Sequence, residues 1–517
     1  MDTKVEKTTH NAKEKIRADK NKTSINQDER ELAIDTHMGK SVLSQSHEMS
    51  YKEKVEEDEE VINKMGTEPI SKLMIAMGLP MILSMVVQAF YNIVDSYFVS
   101  AMPDTAQIVG IGDYAMNALT LAFPIQMLMV AIGVGTGVGI NALLSKTLGE
   151  GKRETASYVA GNAIFIGICT YVVFLLFGLF GVDVYMNSQT SDPIILQMGK
   201  EYLGICCTLS FGIILFTIYE KLLQSTGKTV LCTIGQLAGA LTNIVLDPIL
   251  IFGYFGMPQM GVAGAAYATV IGQFVSLILD MIFHYGFNND VDRQLRYIKP
   301  QKRIIKDIYI VGIPAILMQA LMSFMTYGVN IIFISVSTAA VTAYGVYYKI
   351  QQFVFFAAFG LNNAIIPIVS FNYGMRDKQR VKDGIRYGMM YTLIIMGIGL
   401  AFLQIFAHQV AGIFALSPDI QKLCILSIRI ITIGYLFAGA NIAYQGIFQA
   451  LGCGVHSLII SLLRLIVVAL PLAWLFTKVS NAESMIWWAF PIAEGVALIV
   501  AVFMMRKINK DKVKELA

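Results

Sequence analysis

The chain has 517 residues, 55% of them hydrophobic and only 15% charged, with a formal net charge of +3. Soluble domains carry about 25% charged residues, so the deficit excludes an ordinary soluble fold and points to a membrane protein of many spans. The small net charge gives no footing for a nucleic-acid partner. The six cysteines fall in or beside apolar runs, without the spacing of a disulfide framework or a metal knuckle.

Residues 1–68 are polar, mixed in sign and poor in aromatics, ending in "YKEKVEEDEEVINK". They cannot bury enough apolar surface to fold alone and read as a disordered cytoplasmic tail. They also lack the apolar core of a signal peptide.

From Ser71 the chain breaks into twelve apolar segments of membrane-spanning length, at 72–101, 116–145, 155–180, 196–226, 229–254, 261–286, 305–336, 340–372, 384–409, 423–451, 455–478 and 484–506. The expected fold is an all-α membrane protein. Loop charge orients it. The links after the first, third, fifth and seventh segments hold almost no Lys or Arg, whereas "SKTLGEGKRE", "RQLRYIKPQKRIIK", "GMRDKQRVKDGIR" and the C-terminal "RKINKDKVK" are basic. The positive-inside rule places both termini in the cytoplasm.

The chain repeats itself. "GLPMIL" at 78–83 recurs as "GIPAIL" at 312–317, and "YEKLLQSTGKTVLCTI" at 219–234 lies over "YQGIFQALGCGVHSLI" at 444–459. Each unit holds six spans, so the two keep one orientation and are related by a pseudo-two-fold axis along the membrane normal. The resulting divisions are the tail, an N-lobe at 69–290, a cytoplasmic linker at 291–303, a C-lobe at 304–510 and a cytoplasmic C-terminus at 511–517. Two facing bundles leave a central cleft, the geometry of alternating access.

Charge inside these spans is the informative exception. Asp95, in "YNIVDSYFVS", stands in a long apolar run. An acid at that depth costs roughly 2.5–3.5 kcal/mol on insertion scales, and such residues mark function. Asn243 and Asp247, in "TNIVLDP", are four apart and share one helix face. Pro248 disrupts the bond to the Ile244 carbonyl, which adds an oxygen to the set. Thr269, in "GAAYAT", offers a hydroxyl from the sixth span. These hard oxygens suit a small cation or a shared proton. Two adjacent carboxylates in a low-dielectric bundle cannot both stay bare. Pro80, on the same span as Asp95, is a natural bend point.

Several blocks carry a family resemblance. "QAFYNIVDSYFVS", "TNIVLDPILIFGYFGMPQMGVAGAAYATVIGQ" and the paired Gly-x-Pro segments look like the multidrug and toxic compound extrusion (MATE) family. That family lies within the multidrug/oligosaccharidyl-lipid/polysaccharide exporter superfamily. The resemblance covers about residues 69–510. It implies a secondary active efflux transporter for cationic or amphipathic organic compounds, running by antiport with protons or sodium ions. Its N-lobe cation site carries over onto Asp95, Asn243 and Asp247, and less directly onto Thr269. Bending of the first span at Pro80 is linked in the family to occupancy of that site. The implied setting is a bacterial cytoplasmic (inner) membrane, with lipids and small drugs as partners, a monomeric state and no cofactor beyond the coupling ion. Some relatives carry an acidic site on the seventh and eighth spans, but "GIPAILMQALMSFMTYGVNIIFIS" holds no acid, so coupling is placed in the N-lobe.

Other features weigh less. "GVGTGVG" at 133–139 reads as close helix packing. "STGKT" at 225–229 lacks the upstream glycine and strand of a phosphate loop. Glu220 and Asp280 read as snorkelling toward the cytoplasmic end. Gln88 and Asn92 share a face of the first span and are candidates for substrate contact. Met318 and Met322, at helical spacing on the seventh, suit an adaptable wall, although ordinary packing explains them as well. Lys349 and Glu494 lie about ten residues from the outer ends of the eighth and twelfth spans, roughly 15 Å deep. Opposite charges at one depth suggest an ion pair. The alternative function is an exporter or flippase of lipid-linked or polysaccharide precursors, which calls for a more basic cavity. An embedded enzyme lacks support, because the histidines lie in the tail or near span ends.

Overall fold

A computed structural model of the protein describes residues 63–104, 110–414 and 416–516. Of the tail expected at residues 1–68, residues 1–62 lie outside the described residues. Its last stretch does not: residues 63–68 are built onto the protein rather than left as tail. Lys64–Thr67 form one helical turn, capped by Asn63, whose side chain accepts from the Met65 amide. Asn63 Nδ2 donates to the Thr226 carbonyl at 3.0 Å and to Asp290 Oδ1 at 2.8 Å. Met65 is fully buried.

The described residues are helical, without strands. Eleven helices are long and apolar enough to cross a membrane. The remaining span, fourth in chain order, is a pair, Pro193–Thr208 with Phe211–Ser225, bent by 43°. In lipid every backbone polar group must be satisfied within the segment, which is why apolar length translates so directly into helix. The N-lobe spans are Ile70–Ser100, Ile111–Gly149, Arg153–Gln189, the bent pair, Thr229–Phe252 and Gly261–Phe287. Those of the C-lobe are Lys302–Ile334, Thr338–Gly374, Lys378–Gly412, Pro418–Ala450, Gly454–Phe476 and Ala482–Val513. The linker at 291–303 is laid on the third span: Asn162 Oδ1 accepts from the Gln301 amide at 2.7 Å, and Tyr297 is buried.

The glycines at 133–139 hold the lobes together. A Cβ on Gly135 would stand 2.5 Å from the Ile316 nitrogen, and one on Gly139 2.2 Å from the Ile308 carbonyl oxygen. The second span therefore touches the seventh backbone to backbone. At the basic-loop end, a Cβ on Gly149 would stand 1.9 Å from the Phe371 carbonyl oxygen, and one on Gly374 2.1 Å from that of Lys146. Hydrogen bonds between the lobes keep to the same half. Asn372 Nδ2 and Arg380 Nη2 donate to the Met65 carbonyl, and Lys221 Nζ reaches Asn363 Oδ1. The lobes are closed on the side of the basic loops.

Candidate functional site

The fifth and sixth spans also meet at glycines. A Cβ on Gly239 would stand 2.5 Å from the Gly272 carbonyl oxygen, and one on Gly272 2.7 Å from that of Gly239. This close approach sets Asn243 against Thr269. Asn243 Nδ2 donates to Asp247 Oδ1 at 3.3 Å and to Thr269 Oγ1 at 3.4 Å. Asn243 and Asp247 are buried. Asp95, from the first span, lies within electrostatic reach of Asp247, Tyr91 and Tyr202. The structure thus gathers Asp95, Asn243, Asp247 and Thr269 in the half of the N-lobe away from the basic loops.

Three oxygens in this cluster are buried without a hydrogen-bond partner: Asp95 Oδ1, Asn243 Oδ1 and Asp247 Oδ2. Buried polar atoms are nearly always paired, so three lone acceptors in one cluster are suited to something electron-poor. Two carboxylates, an amide oxygen and a hydroxyl are hard donors. They fit a proton or a small alkali cation and do not suit a soft metal.

A polar layer lies on the basic-loop side of this cluster. Ser84 Oγ donates to Gln236 Oε1, and Gln236 Nε2 donates to Gln88 Oε1 at 3.2 Å. Gln88 therefore ties the first span to the fifth. Gln236 was open to sequence reasoning, since it falls on the face of Asn243 and Asp247, seven and eleven residues on. The Asn92 side chain lies outside the described residues. Pro80 sits inside the continuous helix Ile70–Ser100, two residues beyond Gly78, where a Cβ would meet the Leu361 side chain of the eighth span at 2.6 Å.

In the C-lobe, Met318 and Met322 line a cavity of about 80 Å³ together with Tyr344, Tyr347, Gln351 and Gln445. The same wall holds Arg464 and Glu494. Here the expected ion pair needs correction. Glu494 pairs with Arg464 and not with Lys349: Arg464 Nε donates to Glu494 Oε1 at 2.8 Å, and Nη2 lies 2.6 Å from the same oxygen. Asn441 Nδ2 donates to Oε2 at 2.8 Å. Lys349 is exposed on the eighth helix. Arg464, in "ISLLRLIVVAL", carried the same signal as Asp95, a lone charge in an apolar run. It sits in a π turn, Leu463–Val467, of the eleventh span.

The snorkelling expected of Glu220 and Asp280 is a second correction. Asp280 is 0% exposed, and the Glu220 side chain is 12% exposed beside a buried Lys221. Both acids turn inward between the fourth, fifth and sixth spans, because small residues at the contacts draw those helices together.

Comparison with known proteins agrees with this architecture. The sequence profile of the MatE family matches residues 80–249 and 314–475, one block in each lobe. The chain belongs to the MatE family. Among its MATE relatives are proteins named multidrug export protein MepA. That of Staphylococcus saprophyticus is 26% identical over 447 residues, covering 86% of this chain and 96% of the relative. That of Staphylococcus aureus is 25% identical over 437 residues, covering 84% and 94%. A solved outward-facing multidrug resistance MATE family transporter of the MOP superfamily superposes with a TM-score of 0.80 at 25% identity, covering 87% of this chain and 98% of that one. Membership makes this protein a MATE transporter with twelve spans in two lobes.

Proposed function

We propose that this MATE transporter exports cationic or amphipathic organic compounds by antiport with protons or sodium ions, and that Asp95, Asn243, Asp247 and Thr269 bind the coupling ion. The three unpartnered oxygens carry the reading. Bare, the two carboxylates repel in a low-dielectric bundle, and an incoming proton or sodium ion relieves that repulsion. The cargo is cationic because the acids that a drug can neutralise are the same ones that the ion neutralises. Export of multidrug type is supported by the MepA relatives, each named a multidrug export protein.

Pro80 is the hinge in this scheme. It lies fifteen residues before Asp95 on one helix and lacks an amide hydrogen, so bending there breaks no complete ladder. Closure of the lobes on the basic-loop side supports alternating access, with this arrangement as the outward-open half of the cycle. The basic loops support cytoplasmic termini, and the staphylococcal relatives support a place in a bacterial cytoplasmic (inner) membrane.

The deciding experiment uses purified protein in liposomes with a proton or a sodium gradient imposed separately. Uptake of a fluorescent organic cation driven by one gradient identifies the ion. Uptake driven by neither sinks the antiport reading.

A further inference from the structure

Asp280 lies on the sixth span, far from the Asp95 cluster. It packs on Gly235 of the fifth span, where a Cβ would stand 2.2 Å from Asp280 Oδ1. Asp247 is twelve residues further along that helix, roughly 18 Å toward the outer surface. Asp280 is completely buried, and neither carboxyl oxygen has a hydrogen-bond partner.

The groups facing it are few. Glu220 comes from the fourth span and the Cys232 thiol from the fifth, and Lys221 stands on the far side of that thiol and of Glu220. On its own helix, His284 is held by Asn288 at 3.2 Å. Glu220 is provided for: Gln224 Nε2 donates to it at 2.7 Å, and Lys221 Nζ lies 3.7 Å away. Lys221 donates to Gln224 Oε1 at 2.8 Å and reaches Asn363 Oδ1, on the eighth span, at 3.5 Å. Glu220 and Lys221 thus balance each other, and Asp280 is left over. An unpaired buried carboxylate costs several kcal/mol. A proton cancels that charge and needs no cavity, whereas the tight contact with Gly235 leaves no shell of ligands for a metal ion.

We propose that Asp280 is a second proton-binding site of the N-lobe, on the cytoplasmic side, and that its proton controls the Lys221–Asn363 contact between the lobes. With the proton on Asp280, the Lys221 ammonium stays with Glu220, Gln224 and Asn363, and the lobes hold together. When the proton leaves to cytoplasmic water, the Asp280 carboxylate repels that of Glu220 and displaces the group that holds the Lys221 ammonium. The bond to Asn363 weakens, and the cytoplasmic side is released. This site is separate from the Asp95 site, so either assignment can fail alone.

The test places spin labels on the two exposed cytoplasmic positions Lys152→Cys and Gln379→Cys, in a Cys169→Ser background, and follows their separation with pH in lipid nanodiscs. The expected result is a shift to longer distances as pH rises. That shift is lost in Asp280→Asn, which mimics the protonated state, and is retained in Asp95→Asn. An Asp280→Asn profile that follows the parent's overturns the proposal. Infrared spectra give a second reading without that variant. The Asp95→Asn/Asp247→Asn protein at pH 7 retains a protonated-carboxyl band, and its absence there also overturns the proposal.

Discussion

Arg464 Nη2 lies 2.6 Å from Glu494 Oε1, joining the eleventh and twelfth spans inside the C-lobe. Each side chain is largely buried, so each depends on the other. Removing one partner of a buried pair strands the second and costs about 3–5 kcal/mol, whereas replacing both with apolar groups of similar volume is often neutral. We expect Arg464→Ala to lower the unfolding temperature of the purified protein sharply, and Arg464→Met with Glu494→Leu to recover most of the loss. Lys349→Ala leaves stability near the parent value, because the Lys349 side chain is exposed and leaves no buried partner behind. Equal losses from Lys349→Ala and Arg464→Ala, read by thermal unfolding in one detergent, contradict this assignment.

Asp95→Asn and Asp247→Asn each abolish gradient-driven efflux while leaving folded protein in the membrane. The amide keeps the shape of the side chain and removes the charge on which coupling depends. Dye efflux from energised vesicles, normalised to inserted protein, is the measurement. Efflux at the parent rate in both variants rules out the N-lobe mechanism. Asn243→Ala acts more weakly, since it leaves both carboxylates but frees Asp247 Oδ1 and Thr269 from their shared donor.

What the sequence reveals about this protein follows from what lipid demands. A span must be apolar for about twenty residues, so the twelve helices and their order are legible, and the first, expected at 72–101, is Ile70–Ser100. The bend at Leu209 and Ser210 is not legible, because "CTLSFG" holds no proline to announce it. An ionisable residue within a span stands out for the same reason, which brings Asp95 and Asp247 to notice. Depth can be counted along a helix, but the side a residue faces depends on which helix packs there. Lys349 and Glu494 share a depth and no contact, whereas Arg464 shares both with Glu494. Asp280 lies near a span end, where a side chain can normally reach water. Gly235 brings the fifth helix over it and closes that route.

Gly149 and Gly374 are expected to control which side of the transporter is open. A Cβ at either position would run into the backbone carbonyl oxygen of the opposite lobe, Phe371 or Lys146. Backbone cannot rotate aside as a side chain can, and overpacking of this kind costs about 1–3 kcal/mol. The contact exists only while the cytoplasmic side is closed, so the cost falls on that state alone. Gly149→Ala therefore shifts the population toward the cytoplasm-open form without unfolding either lobe. Labelling of a cysteine placed in the cytoplasmic half of the cleft becomes faster, and overall thermal stability changes little. A labelling rate equal to the parent's shows that the contact is not part of the gate.

The N-terminal boundary gives the last prediction. Removing residues 1–60 leaves efflux nearly intact, because it spares the contacts that Asn63, Met65 and Glu68 make with the two lobes. Removing residues 1–68 does not. It takes away the Asn63 side chain, which holds the Thr226 carbonyl and Asp290 together, and Asp290 in turn pairs with Lys228 at 2.6 Å. It also removes the Met65 and Glu68 carbonyls, which accept from Arg380 Nη2 at 2.9 Å each. Those bonds reach from the start of the N-lobe to the ninth span of the C-lobe, on the closed side. The longer deletion therefore weakens the cytoplasm-closed state as well as the N-lobe itself. The point variant Asn63→Ala isolates the local part, about 1 kcal/mol for loss of a helix cap, and lowers efflux less than the deletion does. Efflux assays on both truncations at matched membrane levels decide it. Equal activity of the two truncations places the functional boundary after residue 68, whereas loss already in the shorter one moves it before residue 61.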